Sequence, residues 1–174
     1  MNETIETLLK RRSIRKFKTT QISEENLKTL IDCGLHAATA MNRQPWHFSC
    51  IQNQEILNFI SETVKKQRPD ADEDYHLFYH APTVIMISGK NDESFAEVDC
   101  ANASMNICNA AYALGLGSCY IAAFRMALPL EEQKIKELCQ VPENYTPMFC
   151  IAIGEADEQP ECKERRYAVS FVRE

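Results

Sequence analysis

The chain has 174 residues, enough for one compact domain, and 45% of them are apolar, enough to fill a core. Its net charge of −6 is unevenly spread, with +4 in residues 1–18 and −10 in the remainder. So acidic a body is a poor general binder of nucleic acid or of an anionic membrane, which points to the basic N-terminal stretch as a local site for one compact anion.

In chain order, residues 3–12 read as a short helix with Ile5, Leu8 and Leu9 on one face. Ser23 is placed to cap a second helix, where Leu27, Leu30, Ile31 and Leu35 recur at helical spacing. "WHFSCIQ" (46–52) reads as a strand, residues 54–67 as an amphipathic helix and 68–76 as a polar loop. "PTVIMISG" (82–89) is a continuous apolar run closed by glycine, the pattern of a strand buried on both faces.

The longest helix is expected from Glu93 to Leu114, with Gly115 just past its end. No charge occurs between Cys100 and Phe124, a length that could span a bilayer. Asn102, Asn106 and Asn109 would be costly in lipid, so the segment reads as a water-soluble helix buried nearly all round. Val98, Ala101, Met105, Cys108 and Tyr112 share one face, and a helix this apolar on every side is expected to meet a second copy of the chain. A strand at 117–124, a helix at 129–141 opened by a proline, and a strand at 146–156 complete the core. The tail, 157–174, holds "AVSFV", a short potential strand with no core left to join, and is expected to reach across to a partner. The elements mix without clean βαβ alternation, so the class expected is α+β, in a single domain over 1–174.

Eight cysteines include no Cys-x-x-Cys pair and no Cys/His grouping at zinc spacing. Most lie in apolar runs, which points to buried thiols in a reducing, cytoplasmic setting. The N-terminus has no signal-peptide core.

Three stretches could carry chemistry. In "KRRSIRKF" (10–17), Arg11, Arg12 and Arg15 offer bidentate bonds to phosphate, worth about 1.5–3 kcal/mol each, with Ser13 as a small donor. A second basic group, Lys163, Arg165 and Arg166, stands near the other end. "HAATAMNRQPWHF" (36–48) places amides of Asn42 and Gln44, able to donate and accept at once, among small residues that admit a flat ligand. "ALGLGSCYIAAF" (113–124) brackets a tight turn with Gly115 and Gly117 but lacks a dinucleotide fingerprint. Taken singly, each stretch also reads as ordinary structure: a solvated basic patch, a helix-to-strand turn, a helix cap.

In order, "RRSIRKF", "NRQPWHF", "ALGLGSCYIAAF" and "KERR" resemble the nitroreductase family of FMN-dependent oxidoreductases over nearly the whole chain. The resemblance implies a central, mostly antiparallel sheet flanked by helices. It also implies an intertwined homodimer whose C-terminal arms (157–174) are exchanged, with non-covalent FMN in clefts at the interface. Carried over by motif, Arg11, Arg12 and Ser13 would hold the FMN phosphate and ribityl chain, and Lys163 and Arg165 would close on the phosphate. Arg15 would face the pyrimidine end of the ring. Thr39, Ala40, Asn42 and Gln44 would reach it from the other subunit, and Ile121, Ala122 and Ala123 would lie along it, with a backbone N–H near N5.

The activity implied is ping-pong hydride transfer from NAD(P)H to nitroaromatics, quinones or another small electron acceptor, without a protein acid or base, a metal, nucleic acid or a membrane. Two alternatives stand beside it: specialised flavin chemistry such as reductive dehalogenation or flavin breakdown, and a non-enzymatic module that binds flavin or, through its basic arm, nucleic acid. The chain departs from the family at Ala122–Ala123, where some relatives carry an acidic residue and glycine, at Arg43, where a small residue is common, and in having only residues 68–80 to cover the flavin.

Overall fold

The computed structural model describes residues 2–173. Five helices and four strands alternate irregularly: α1 (Glu3–Lys10), α2 (Glu24–Leu35), β1 (Trp46–Ile51), α3 (Gln54–Lys65), β2 (Thr83–Lys90), α4 (Ala96–Ala113), β3 (Gly117–Ile121), α5 (Leu128–Leu138) and β4 (Tyr145–Gly154). Short 3₁₀ turns at Ala40–Asn42 and Ala123–Ala127 lead into β1 and α5. The strands form one antiparallel sheet in the order β1-β2-β4-β3, so the expected α+β class with an antiparallel centre holds.

Helices cover both faces of the sheet. On one face Val84, Met86, Cys119, Ile121, Cys150 and Ala152 meet Leu57, Ile60 and Val64 of α3 and Ile135 of α5. On the other, Ile85, Ile87, Phe149, Ile151 and Ile153 meet Leu30 of α2 and Ala103, Ile107 and Ala111 of α4. The central strands β2 and β4 are buried on both sides, which is why their sequences run apolar without alternation. Ser23 caps α2 by accepting from the Asn26 N–H at 3.1 Å, as its sequence position predicts. Gly115 ends α4 at φ +74°, a conformation that favours glycine.

Several expected elements end early: the helix foreseen at 3–12 stops at Lys10, that at 54–67 at Lys65 and that at 129–141 at Leu138, and the strand foreseen at 146–156 stops at Gly154. The helix foreseen at 93–114 begins at Ala96, because Glu93 and Ser94 lie in the turn after β2. The strand foreseen at 117–124 stops at Ile121, where Ala122 turns the chain into a 3₁₀ helix. Two of the three Asn side chains singled out in α4 tie it to its neighbours: Asn102 donates to the Ala38 carbonyl at 3.2 Å and Asn106 to that of Cys33 at 3.1 Å, at the end of α2 and in the segment beyond it.

α4 is not buried all round in the single chain. Cys108 is buried toward the sheet, but Val98, Met105 and Tyr112, each seven residues from the next, are exposed in a row. α1 buries nothing, although Ile5, Leu8 and Leu9 form an apolar face that is 47%, 57% and 59% exposed. The tail beyond Asp157 forms no helix or strand among the described residues and leaves Tyr167, Val169, Phe171 and Val172 exposed.

Candidate functional site

The basic stretch begins where α1 ends. Lys10 closes the helix, and residues 11–18 run extended along two anchor lines. Ser13 bridges Ser118 in parallel register, with the Ile14 N–H donating to the Ser118 carbonyl at 2.9 Å. Phe17 bridges Ala156, and the Arg15 N–H donates to the Glu158 carboxylate. The segment thus lies along the outer edge of β3, held on one side by β3 and on the other by the chain leaving β4. Gly117 makes the first contact possible: a Cβ there would meet three atoms of Ile14 at 3.0 Å.

A cavity of about 720 Å³ opens over this strip, lined by Arg11, Arg12, Tyr112, Leu116, Ser118 and Glu158 among others. Its size is that of a small-molecule site. The Arg12 guanidinium donates to the carbonyls of Leu9 and Arg11, each at 2.7 Å, capping α1 while leaving further N–H groups to face a ligand. Ser118 Oγ is buried behind the cavity wall, beside the Cys108 thiol, whose pKa its hydrogen bond lowers against the larger effect of burial.

Further along the strip a second cavity, about 470 Å³, is lined by Arg15, Phe17, Tyr75, His76, Tyr79 and Asp157 among others. From Arg11 to Arg15 the extended chain covers about 13 Å, so the two separate cavities lie toward the two ends of this basic strip and together form the candidate trough. The Arg15 guanidinium lies over the Tyr79 ring, 5.9 Å from its centroid. Its pKa is raised, first by the Tyr79 hydroxyl, against a smaller opposing effect of burial.

Of the strand after the glycine turn, Gly117 and Ser118 line the larger cavity, and Ile121, Ala122 and Ala123 line neither. The Ile121 side chain points into the core beside α3, and Tyr120, Ala122 and Ala123 are exposed at the strand's end. The thiol of Cys119 lies beside the trough, its pKa raised by burial and partly offset by Arg15 and by Ser13.

The amide-bearing loop is elsewhere. Met41, Asn42 and Gln44 take left-handed φ values of 53°, 54° and 50°, folding the loop tightly. Gln44 donates to Asn42 Oδ1 at 2.9 Å, the Ala40 N–H lies 3.2 Å from the carboxylate of buried Asp99, and Arg43 pairs with Glu93 at 2.7 Å. Thr39 hydroxyl faces the Gln44 N–H at 3.4 Å. All of this sits at the first turn of α4, whereas Arg11 and Arg12 lie near Tyr112 at its last turn. Thirteen residues of helix separate Asp99 from Tyr112, about 20 Å. One chain therefore brings Arg11, Arg12, Ser13 and Arg15 together with Gly117 and Ser118 at the start of β3, and keeps Thr39, Ala40, Asn42 and Gln44 apart from them.

The late basic residues stop short of the trough. Gln159, Pro160 and Cys162 line the larger cavity, while Lys163, Arg165 and Arg166 are exposed just beyond it. Sequence reading did not single out Ser118, Asp99, Tyr79 or Glu158. Only the small pair Gly117–Ser118 carried a local signal, as a place where another backbone can approach closely; the others act over long sequence distances.

The model of the nitroreductase family matches residues 8–155. An FMN-dependent nitroreductase from Clostridium difficile R20291 superposes with a TM-score of 0.87 at 34% identity, covering 98% of this chain and 99% of its own. A nitroreductase with bound FMN from Bacteroides fragilis NCTC 9343 gives a TM-score of 0.87 at 29% identity, over 99% and 100% of the two chains. The NADPH-flavin oxidoreductase of Vibrio harveyi is 30% identical over 182 aligned positions, covering all of this chain and 74% of its own length.

Proposed function

The chain belongs to the nitroreductase family, and we propose that it is an FMN-dependent oxidoreductase that uses NAD(P)H to reduce a small electron acceptor such as a nitroaromatic or a quinone. The observation that carries this reading is the strip itself: Arg11 and Arg12 at one end beside the larger cavity, ring-sized space beside Arg15 at the other, and Ser13 seated on Ser118 between them. Those features fit a molecule with a phosphate at one end and a flat hydrogen-bonding ring at the other.

FMN, when bound, supplies the electron transfer; the chain supplies binding, orientation and charge. Arg11, Arg12 and Ser13 hold the phosphate and ribityl chain, with Lys163 and Arg165 closing from the tail. Arg15 sets a positive charge at the pyrimidine end, where reduction places negative charge. Ile121 contributes backbone only, and Ala122 and Ala123 leave the ring face open for donor and acceptor in turn.

The functional unit in this reading is a homodimer. The exposed faces of α1 and α4 need cover, and Thr39, Ala40, Asn42 and Gln44 meet the trough only if a second copy brings them there. The outer edge of β1 is unpaired in the sheet order, and a groove of about 290 Å³ runs beside it. The exchanged arm, with Tyr167, Val169 and Phe171 alternating, fits such an edge.

A visible spectrum of the purified protein, taken before and after anaerobic NADH, tests the proposal. Flavin bands that bleach support it; absence of flavin bands even after reconstitution with FMN overturns it.

A further inference from the structure

Tyr79 and His80 both adopt left-handed backbone, at φ 54° and 55°, in a loop whose other residues have no need of it. Two consecutive non-glycine residues in that region cost about 1 kcal/mol or more each, and persist only where their surroundings over-determine them. Here the surroundings do. The His80 N–H donates to His76 Nδ1 at 3.1 Å, so that nitrogen is unprotonated and the ring proton sits on Nε2, 3.1 Å from Asn58 Oδ1. The His76 and His80 rings stack with centroids 4.1 Å apart. The Tyr79 N–H donates to the His76 carbonyl at 3.0 Å, and the Leu77 N–H to buried Ser61 at 2.8 Å.

What this locked turn delivers is the Tyr79 ring beneath the Arg15 guanidinium. Asp72, Asp74 and Asp157 line the same cavity and the Glu158 carboxylate accepts from the Arg15 backbone N–H, yet among the described residues the Arg15 guanidinium makes no ion pair with any of the four. An aromatic face holds a cation without neutralising it, worth about 0.5–1 kcal/mol at an exposed site. A carboxylate in that place would hold it more firmly and cancel the charge that faces the ligand.

We propose that Tyr79 is a positioning residue for Arg15: it keeps the guanidinium aimed into the trough with its charge intact, and through it tunes the reduction potential of the bound flavin. The inference rests on the reading of Arg15 as the group facing the flavin ring.

The test measures the midpoint potential of bound FMN, by spectroelectrochemistry, in Tyr79→Leu, Tyr79→Phe, Arg15→Ala and the Tyr79→Leu/Arg15→Ala pair, with FMN affinity from fluorescence quenching. Expected is a more negative potential in Arg15→Ala and a smaller shift of the same sign in Tyr79→Leu. That smaller shift corresponds to about two- to fivefold weaker preference for reduced over oxidised flavin. Tyr79→Phe, which keeps the ring and the fold, falls between Tyr79→Leu and the parent, and Tyr79→Leu adds nothing once Arg15 is gone. If Arg15→Ala lowers the potential while neither Tyr79 variant moves it, the positioning role is overturned. If Tyr79→Leu shifts the potential further in the Arg15→Ala background, Tyr79 acts on the flavin directly and the proposal is again overturned. An unchanged potential in Arg15→Ala sinks the underlying reading of Arg15, and the proposal falls with it.

Discussion

The backbone N–H of Ala40 lies 3.2 Å from Oδ1 of Asp99, a carboxylate that is only 3% exposed in the first turn of α4. This contact pins the amide-bearing loop to the start of the helix, where the positive end of the helix dipole also favours the acid. Hydrogen bonds to a charged group contribute about 1.5–3 kcal/mol. Asp99→Ala is therefore expected to loosen residues 39–44, to lower the melting temperature, and to weaken FMN binding although Asp99 touches no part of the trough. Melting curves with and without FMN check this: equal destabilisation of both forms would mean the loop plays no part in binding.

The phosphate end of the trough makes a sharper demand. Arg11→Ala is expected to weaken FMN binding about 10- to 100-fold, the loss of one charge-assisted bidentate contact. Arg12→Ala should weaken binding as well and also fray α1, because the Arg12 guanidinium caps the Leu9 carbonyl. Far-ultraviolet circular dichroism with flavin-quenching titrations separates the two effects. Full flavin occupancy in Arg11→Ala would remove its phosphate role.

Gly117 tests how the strip is held. A methyl at this position meets Ile14 Cβ, Cγ1 and Cγ2 at 3.0 Å, atoms near the backbone that cannot swing aside. Gly117→Ala should push the 13–15 segment off β3, at a cost of about 1–3 kcal/mol typical of overpacking. The expected readout is a lower melting temperature together with weakened flavin binding. Unchanged binding in a folded variant would show that the segment's seat on β3 does not shape the trough.

Much of this was legible in the sequence because local chemistry sufficed. Ser23 capped its helix, Gly115 ended α4, and the continuous apolar runs of β2 and β4 sat in the middle of the sheet. Arg11, Arg12 and Ser13 were found as a group because a helix end and an extended strip place neighbours in sequence together in space. Asp99 and Tyr79 gave no such signal, and Ser118 gave one only as a small residue beside Gly117. Each works through a partner tens of residues away, Ala40, Arg15 and Ser13 respectively, and periodicity does not see such pairs. The α4 face illustrates the same limit: Cys108 belongs to the expected stripe by spacing, but the sheet claims it, and the exposed row is Val98, Met105 and Tyr112.

That row predicts the assembly. Met105→Glu places a charge at the middle of the exposed α4 stripe without touching the core of the single chain. If α4 pairs with its copy, burying the carboxylate is costly and the dimer dissociates. Sedimentation at graded concentrations should then show monomer, with FMN lost because Thr39 to Gln44 no longer meet the trough. A flavin-loaded dimer in this variant would move the interface elsewhere.

His76 fixes the pH response of the loop beneath Arg15. Burial, and then the nearby His80, lower its pKa from the ordinary 6.5 to about 4. The unfolded chain therefore binds the proton more readily than the folded one, and stability rises with pH between those values. The contribution of neutral His76 is complete above about pH 6.5 and is lost as the pH falls toward 4, when a proton on Nδ1 would displace the His80 N–H. Melting temperatures should fall over that window, and less steeply in His76→Gln, whose side chain does not titrate. Because the loop carries Tyr79, the flavin potential should drift with the melting temperature as the loop loosens. Parallel slopes for His76→Gln and the parent would assign the acid sensitivity to another group.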